Sequence, residues 1–143
     1  SQSCVFYAEV TINANAVTGT GIGPGMELRL DANTAVGYYQ NETISGWGYQ
    51  ESGFYTLVAA GIGSKTVAIG RTGSTISIYI DGTVEKTGTL TGSKTPQLIA
   101  TNNISGGVLD ADGIAGSFDD FIAEDSESLG DDIYIDPTGD SCP

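Results

Sequence analysis

The sequence predicts an all-β domain, an antiparallel β-sandwich, on three observations. Glycine contributes 21 of 143 residues, Thr, Ser, Ile and Val fill the intervals, and no stretch of twelve residues repeats its apolar positions at helical spacing. In residues 75–84 (TISIYIDGTV), Ile76, Ile78 and Ile80 alternate with Ser77 and Tyr79 before Asp81-Gly82. That dipeptide tolerates the two positive φ angles of a two-residue hairpin turn, so the segment is an antiparallel hairpin with one buried face. In residues 116–122 (GSFDDFI), Phe118 and Phe121 flank Asp119 and Asp120. Two adjacent carboxylates cannot both enter an apolar core, so this stretch lies near water, a turn or a cation.

The elements follow in order. Residues 4–12 (CVFYAEVTI) alternate Val5, Tyr7, Glu9 and Thr11 against Phe6, Ala8, Val10 and Ile12, a long strand with one core face. Residues 13–25 form a Gly-, Asn- and Thr-rich loop broken by Pro24; 26–30 are the next strand, 31–34 a turn and 35–39 a third strand. Residues 40–53 are polar and glycine-rich yet hold Trp47 and Tyr49, which predicts a long connection or a meander with exposed aromatics, the interaction loop of the fold. Strands are expected at 54–59 and 65–70, then the 75–87 hairpin, a strand at 97–101, a loop over 102–113 and a last core strand at 114–123. From Glu124 onward the chain carries seven acidic residues and no basic one, the composition of a mobile tail. The alternation in residues 131–136 (DDIYID) gives part of that tail the pattern of an edge strand added to its own sheet or to a neighbour's. The expected organisation is therefore a sandwich domain over 1–123 and an acidic tail over 124–143.

Length and charge narrow the function. A chain of 143 residues is one domain that buries roughly two thirds of its unfolded surface. A net charge of −13 with five basic residues argues against nucleic acid, whose binding needs clustered cations, and against anionic membrane surfaces. No apolar run approaches the ~20 residues of a membrane span. Excess acid suits a surface that stays monodisperse by self-repulsion, or one that gathers divalent cations. No basic segment followed by an apolar stretch opens the chain, so no signal peptide is read, and synthesis without a leader or removal of one both stay open. With no histidine, a Ser-His-Asp triad, a Cys-His dyad and an imidazole zinc site are excluded. Cys4 and Cys142 stand at opposite ends of the chain, and a disulfide between them, two free thiols or cross-links between chains are all open.

The order of 6–10 (FYAEV), the strand at 26–30, the Tyr38-Tyr39 strand, the 78–84 hairpin (IYIDGTV) and 118–121 (FDDF) is similar to the concanavalin A-like lectin/glucanase superfamily. It most resembles the LamG-like jelly-roll domains of phage virion structural proteins. The resemblance spans about residues 4–123 and implies a jelly roll, here beginning at what would be an interior strand. Enzymatic members of that superfamily are glycosidases, which need two carboxylates facing across a sugar bond. Their acid strand, Glu, Asp and Glu on one face, is not found: Glu9 is alone on its strand, and Glu27 is followed by Leu28-Arg-Leu-Asp31. The chain is therefore expected not to be an enzyme.

Two candidate sites follow. Asp110-Ala-Asp112-Gly113 has the alternating carboxylates and glycine of a calcium loop, and the resemblance implies a structural calcium near the Asp119-Asp120 pair. Strand alternation sends one of that pair inward, and the candidate ligands are Asp110, Asp112 and Asp120. Trp47 and Tyr49, with Asn41, Glu42 and Gln50 as hydrogen-bond partners, are the candidate sugar platform, because glycines on both sides of Trp47 leave it no strand to belong to. Tyr38, Tyr39 and Tyr55 could extend it, although Tyr38 and Tyr55 also suit plain packing. The expected function is a structural protein on the surface of a virus particle, a decoration, cement or fibre-type subunit that contacts its own copies or other virion proteins. The alternative is a lectin-like, carbohydrate-binding module at an extracellular or cell surface.

Overall fold

The computed structural model describes residues 4–18, 25–40, 45–101, 104–105, 108–109 and 113–124. They form twelve strands and, among the described residues, no helix. These are β1 (Val5–Thr18), β2 (Gly25–Asp31), β3 (Thr34–Tyr39), β4 (Gly46–Glu51), β5 (Phe54–Ala60) and β6 (Gly63–Thr72), then β7 (Thr75–Ile80), β8 (Thr83–Thr89), β9 (Gln97–Thr101), β10 (Ile104–Ser105), β11 (Val108–Leu109) and β12 (Gly113–Glu124). A first sheet has the order β12-β1-β6-β7-β8 and a second the order β5-β4-β3-β2-β9; β10 and β11 make a separate two-stranded ladder. Every pairing is antiparallel. The first sheet packs on the second, with β2 facing β1, β6 and β12, and β3 facing β1, β6 and β7. This is an antiparallel β-sandwich.

Alternation builds the layer between the sheets. Phe6, Ala8, Val10, Ile12 and Ala14 of β1, Val67 and Ile69 of β6, and Ile76, Ile78 and Ile80 of β7 point inward, against Met26, Leu28 and Leu30 of β2, Val36 and Tyr38 of β3 and Trp47 of β4. Removal of apolar area from water stabilises that layer by roughly 25 cal/mol for each Å² buried. At the hairpin, Asp81 (φ 49°) and Gly82 (φ 77°) take the paired positive φ angles that a two-residue turn demands. The Asp81 carboxylate also accepts the Thr66 amide at 2.9 Å and Lys65 Nζ at 3.1 Å, so the turn is tied to the neighbouring strand.

One buried cation closes an end of the sandwich. Arg71, on the inner side of β6, is almost fully enclosed. It donates to the carbonyls of Gly73 (2.7 Å), Gly92 (2.7 Å) and Leu90 (3.3 Å). Burial without a carboxylate partner among the described residues lowers its pKa, and the carbonyl dipoles supply what solvation it has.

Several boundaries differ from expectation. β1 runs on to Thr18, because residues 13–18 pair with 113–117 of β12; the loop expected from residue 13 is strand. Residues 40–53 contain β4, which pairs with both β3 and β5, so of the two readings of this stretch the meander holds and the open connection does not, and its Trp47 is buried and not exposed. In β12, Ile122 opposes Glu9 while Asp119 opposes Thr11, so Asp120 and Phe121 both face Val10 in a β-bulge. Asp120 takes φ 55° there. The bulge breaks the alternation expected for the Asp119-Asp120 pair, and both carboxylates are exposed. Of the two flanking rings only Phe118 packs on the core; Phe121 is exposed.

Cys4 is disulfide-bonded. The chain's one other cysteine, Cys142, lies outside the described residues, as does the tail beyond Glu124. Cys4→Ser is expected to cost about 2–5 kcal/mol, measured as a lower denaturant midpoint with a steeper slope, because the released unfolded chain exposes more surface. An unchanged midpoint would show that the bridge does not constrain the unfolded chain.

Candidate functional site

The expected sugar platform does not assemble. Trp47 is 1 % exposed, on the inner face of β4, and meets Tyr38 edge to face at a centroid distance of 5.0 Å. With both ring faces in the core it offers none to a pyranose. The glycines beside it mark close strand pairing instead of a loop: a Cβ at Gly46 would collide with the Ala59 carbonyl, and one at Gly48 with the Thr56 carbonyl. Tyr49 packs from the same inner face, partly buried, while Gln50 alternates to the outer face. Asn41 and Glu42 lie outside the described residues, and so do Asp110 and Asp112 of the candidate calcium loop. Among the described residues no three His, Cys, Asp or Glu side chains come together as a metal cluster.

What does assemble is a polar and aromatic group on the outer face of the second sheet. The ladder sets Arg29, Ala35, Gln50 and Tyr55 side by side across β2, β3, β4 and β5. Glu27, Gly37, Gly48 and Leu57 make the adjacent row. Because Ala35 and the two glycines present almost no side chain, the long residues lean over them. Arg29 grips Glu27 with both ends of its fork, Nε to Oε1 at 2.7 Å and Nη2 to Oε2 at 3.0 Å. Nη2 also donates to Gln50 Oε1 at 2.9 Å and, weakly, to Tyr55 Oη at 3.4 Å, while Nη1 donates to the Asp31 carbonyl at 2.7 Å. A bidentate guanidinium–carboxylate pair of this kind is strong and directional.

Electrostatics follow from that geometry. Burial opposes the Arg29 charge, but the Glu27 carboxylate more than offsets it and holds the guanidinium above its ordinary pKa. The Tyr39 ring meets Tyr55 edge to face at 5.1 Å. Its hydroxyl is buried; burial first, and then the charge and hydrogen bonding of the neighbouring Glu27, push its pKa well up. Tyr55 is different, with 60 % of its surface exposed. Glu27 gives both oxygens to Arg29 and is 6 % exposed, so its carboxylate is fixed in place on the sheet. The group can present one aromatic ring and a few fixed donors to a neutral polar ligand.

Beside this group lies a strand that no other described residue covers. In β5, Phe54, Tyr55, Thr56, Leu57 and Val58 are all exposed, Phe54 at 78 %, and Ile62 follows just beyond at 57 %. Tyr55 and Leu57 alternate to the outer face while Phe54 and Thr56 alternate to the other, so the strand is open on both faces as well as along its free edge. Strand identity at 54–59 is legible in the sequence, but its place at the end of the sheet is not. The Glu27–Arg29 pair had a signal that was passed over: two residues apart on a strand, opposite charges share a face.

Fold and surface together define a β-sandwich with an open apolar edge. Comparisons with protein-family models, with curated proteins and with solved structures find no match to this chain.

Two substitutions separate core from site. Trp47→Ala is expected to cost about 3–5 kcal/mol of stability, whereas Tyr55→Ala, at an exposed ring, should move the melting midpoint little. Arg29→Met should also destabilise, because it strands the buried Glu27 carboxylate without a counter-charge. Equal midpoints for wild type and Trp47→Ala in thermal unfolding would contradict the burial of that ring.

Proposed function

We propose that this chain is a non-catalytic structural subunit of a virus particle, a decoration, cement or fibre-type protein that works by docking on neighbouring surfaces. The observation that carries the reading is β5, a sheet edge with Phe54, Leu57 and Val58 open to solvent. Soluble domains ordinarily protect such an edge with charge, proline or a covering segment, because a bare one templates pairing with another chain. An edge left bare while the chain carries a net charge of −13 suits a surface that is covered in an assembly. The disulfide at Cys4 supports a location on a virion surface, or alternatively an extracellular one, where oxidising conditions keep such bonds closed. Its partners are copies of itself or other virion proteins.

Particles purified by density gradient from the cells that express the chain should contain it at a fixed ratio to the shell protein, read by quantitative mass spectrometry. A chain found in the soluble fraction and absent from every particle fraction would end this reading.

A second reading, a lectin-like carbohydrate-binding module, is favoured by the outer face of the second sheet, where the exposed Tyr55 ring stands beside Arg29 and Gln50. A ring of that kind stacks on the apolar face of a sugar while fixed donors select its hydroxyls. On a glycan array Tyr55→Ala should weaken binding about fivefold, the loss of roughly 1 kcal/mol that stacking contributes. The absence of any glycan signal from wild type, or a signal indifferent to Tyr55, counts against it.

A further inference from the structure

We propose that β5 is a homotypic docking strand: two copies of this chain join their β5 edges antiparallel about a twofold axis, fusing their second sheets into one. The inference rests on the assembly reading above and names its partner.

Charge argues for a second copy. Molecules carrying −13 each repel wherever acid meets acid, yet from Ser52 to Ser64 there is no charged side chain at all. Other sheet edges are guarded. β12 carries Asp119 and Asp120, and β8 carries Glu85 and Lys86. β9 has only five residues and is entered from Pro96. β5 alone among the four edge strands of the two large sheets combines length, neutrality and large exposed apolar groups.

Shape argues for the same occupant. An antiparallel edge is self-complementary under a twofold axis, each copy giving the hydrogen bonds it receives. Centred on Leu57, the pairing sets Phe54 of each copy opposite Ala60 of the other, Tyr55 opposite Ala59 and Thr56 opposite Val58, so both large rings meet alanines; Val58 is the extra residue of a bulge against β4, so the joined ladder carries one irregularity on each side of the axis. Gly61, at φ 94°, turns the chain away where that ladder ends. The long-range repulsion between copies makes the association stronger as salt screens it.

Sedimentation velocity over a concentration series, at low and at high salt, tests this with wild type, Leu57→Lys and Leu57→Cys. The expected result is a reversible wild-type dimer that tightens with salt, a monomeric Leu57→Lys that keeps the wild-type melting midpoint, and an oxidised Leu57→Cys dimer whose bridge maps to position 57. A wild-type chain that stays monomeric at the highest soluble concentration in both salts, or a dimer that Leu57→Lys does not disturb, overturns the proposal. Such a chain, if still found in the particle fraction, leaves the structural reading standing with a foreign strand on β5. A dimer missing from particles does the reverse.

Discussion

The alternation of β1 is the constraint on which the structure depends. Its inner residues, Phe6, Ala8, Val10, Ile12 and Ala14, are all buried, and its two edges pair with β6 and β12 at once. A slip of one residue would exchange that apolar row for Tyr7, Glu9, Thr11 and Asn13, setting a carboxylate against Leu28 and Val36. The register of the whole first sheet is thereby fixed from the amino end of the chain, and the second sheet follows because β2 lies across β1. The last described strand, β12, closes beside it through residues 95 to 117 positions away in sequence, so the sandwich is complete only when both ends of the domain are in place.

The same period of two sets up the surfaces. With the large residues of β2 to β4 directed inward, the outer face of the second sheet is left with Gly37, Gly48 and Ala35, and the Glu27–Arg29 pair spreads over them. Backbone crowding excludes side chains from the paired glycines, where a Cβ at Gly37 would strike the Met26 carbonyl. A low floor of this kind lets Arg29 on β2 reach Gln50 on β4, two strands away. Moving outward across the sheet, packing runs out at β5, which has β4 on one side and no further strand on the other among the described residues. The polar group and the bare edge are therefore neighbours for one reason: both lie where the inner layer no longer dictates side-chain identity.

Much of the fold was legible because alternation and turn chemistry are local. The run of isoleucines at 76, 78 and 80 and the Asp81-Gly82 turn appear where the sequence places them, as do the strands at 26–30, 35–39, 54–59, 65–70 and 97–101 within a few residues. The expectation failed where glycine was read as a loop signal. Gly46 and Gly48 are there because two backbones approach closely, a fact of pairing between strands that a single strand does not display. Trp47 was misplaced for that reason, and with it the sugar platform. The bulge at Asp120 was hidden likewise, since an extra residue shows only against its partner strand. The site that formed depends on cross-strand rows joining residues 27 and 29 to 50 and 55, and no spacing along the chain encodes that juxtaposition.

Arginine and lysine divide the work of this acidic chain cleanly. The two guanidinium groups are interior joinery: Arg71 binds three carbonyls that lie as far apart in sequence as Gly73 and Gly92, and Arg29 binds a carboxylate, an amide and a carbonyl. A lysine ammonium could not reproduce either fork. The three ammonium groups, Lys65, Lys86 and Lys94, sit nearer the solvent, two of them in partly exposed ion pairs with Asp81 and Asp31. Acylating reagents aimed at lysine therefore strip positive charge from the exterior while the arginine clasps stay shut, which makes the chain's colloidal behaviour adjustable by chemistry that leaves its architecture alone.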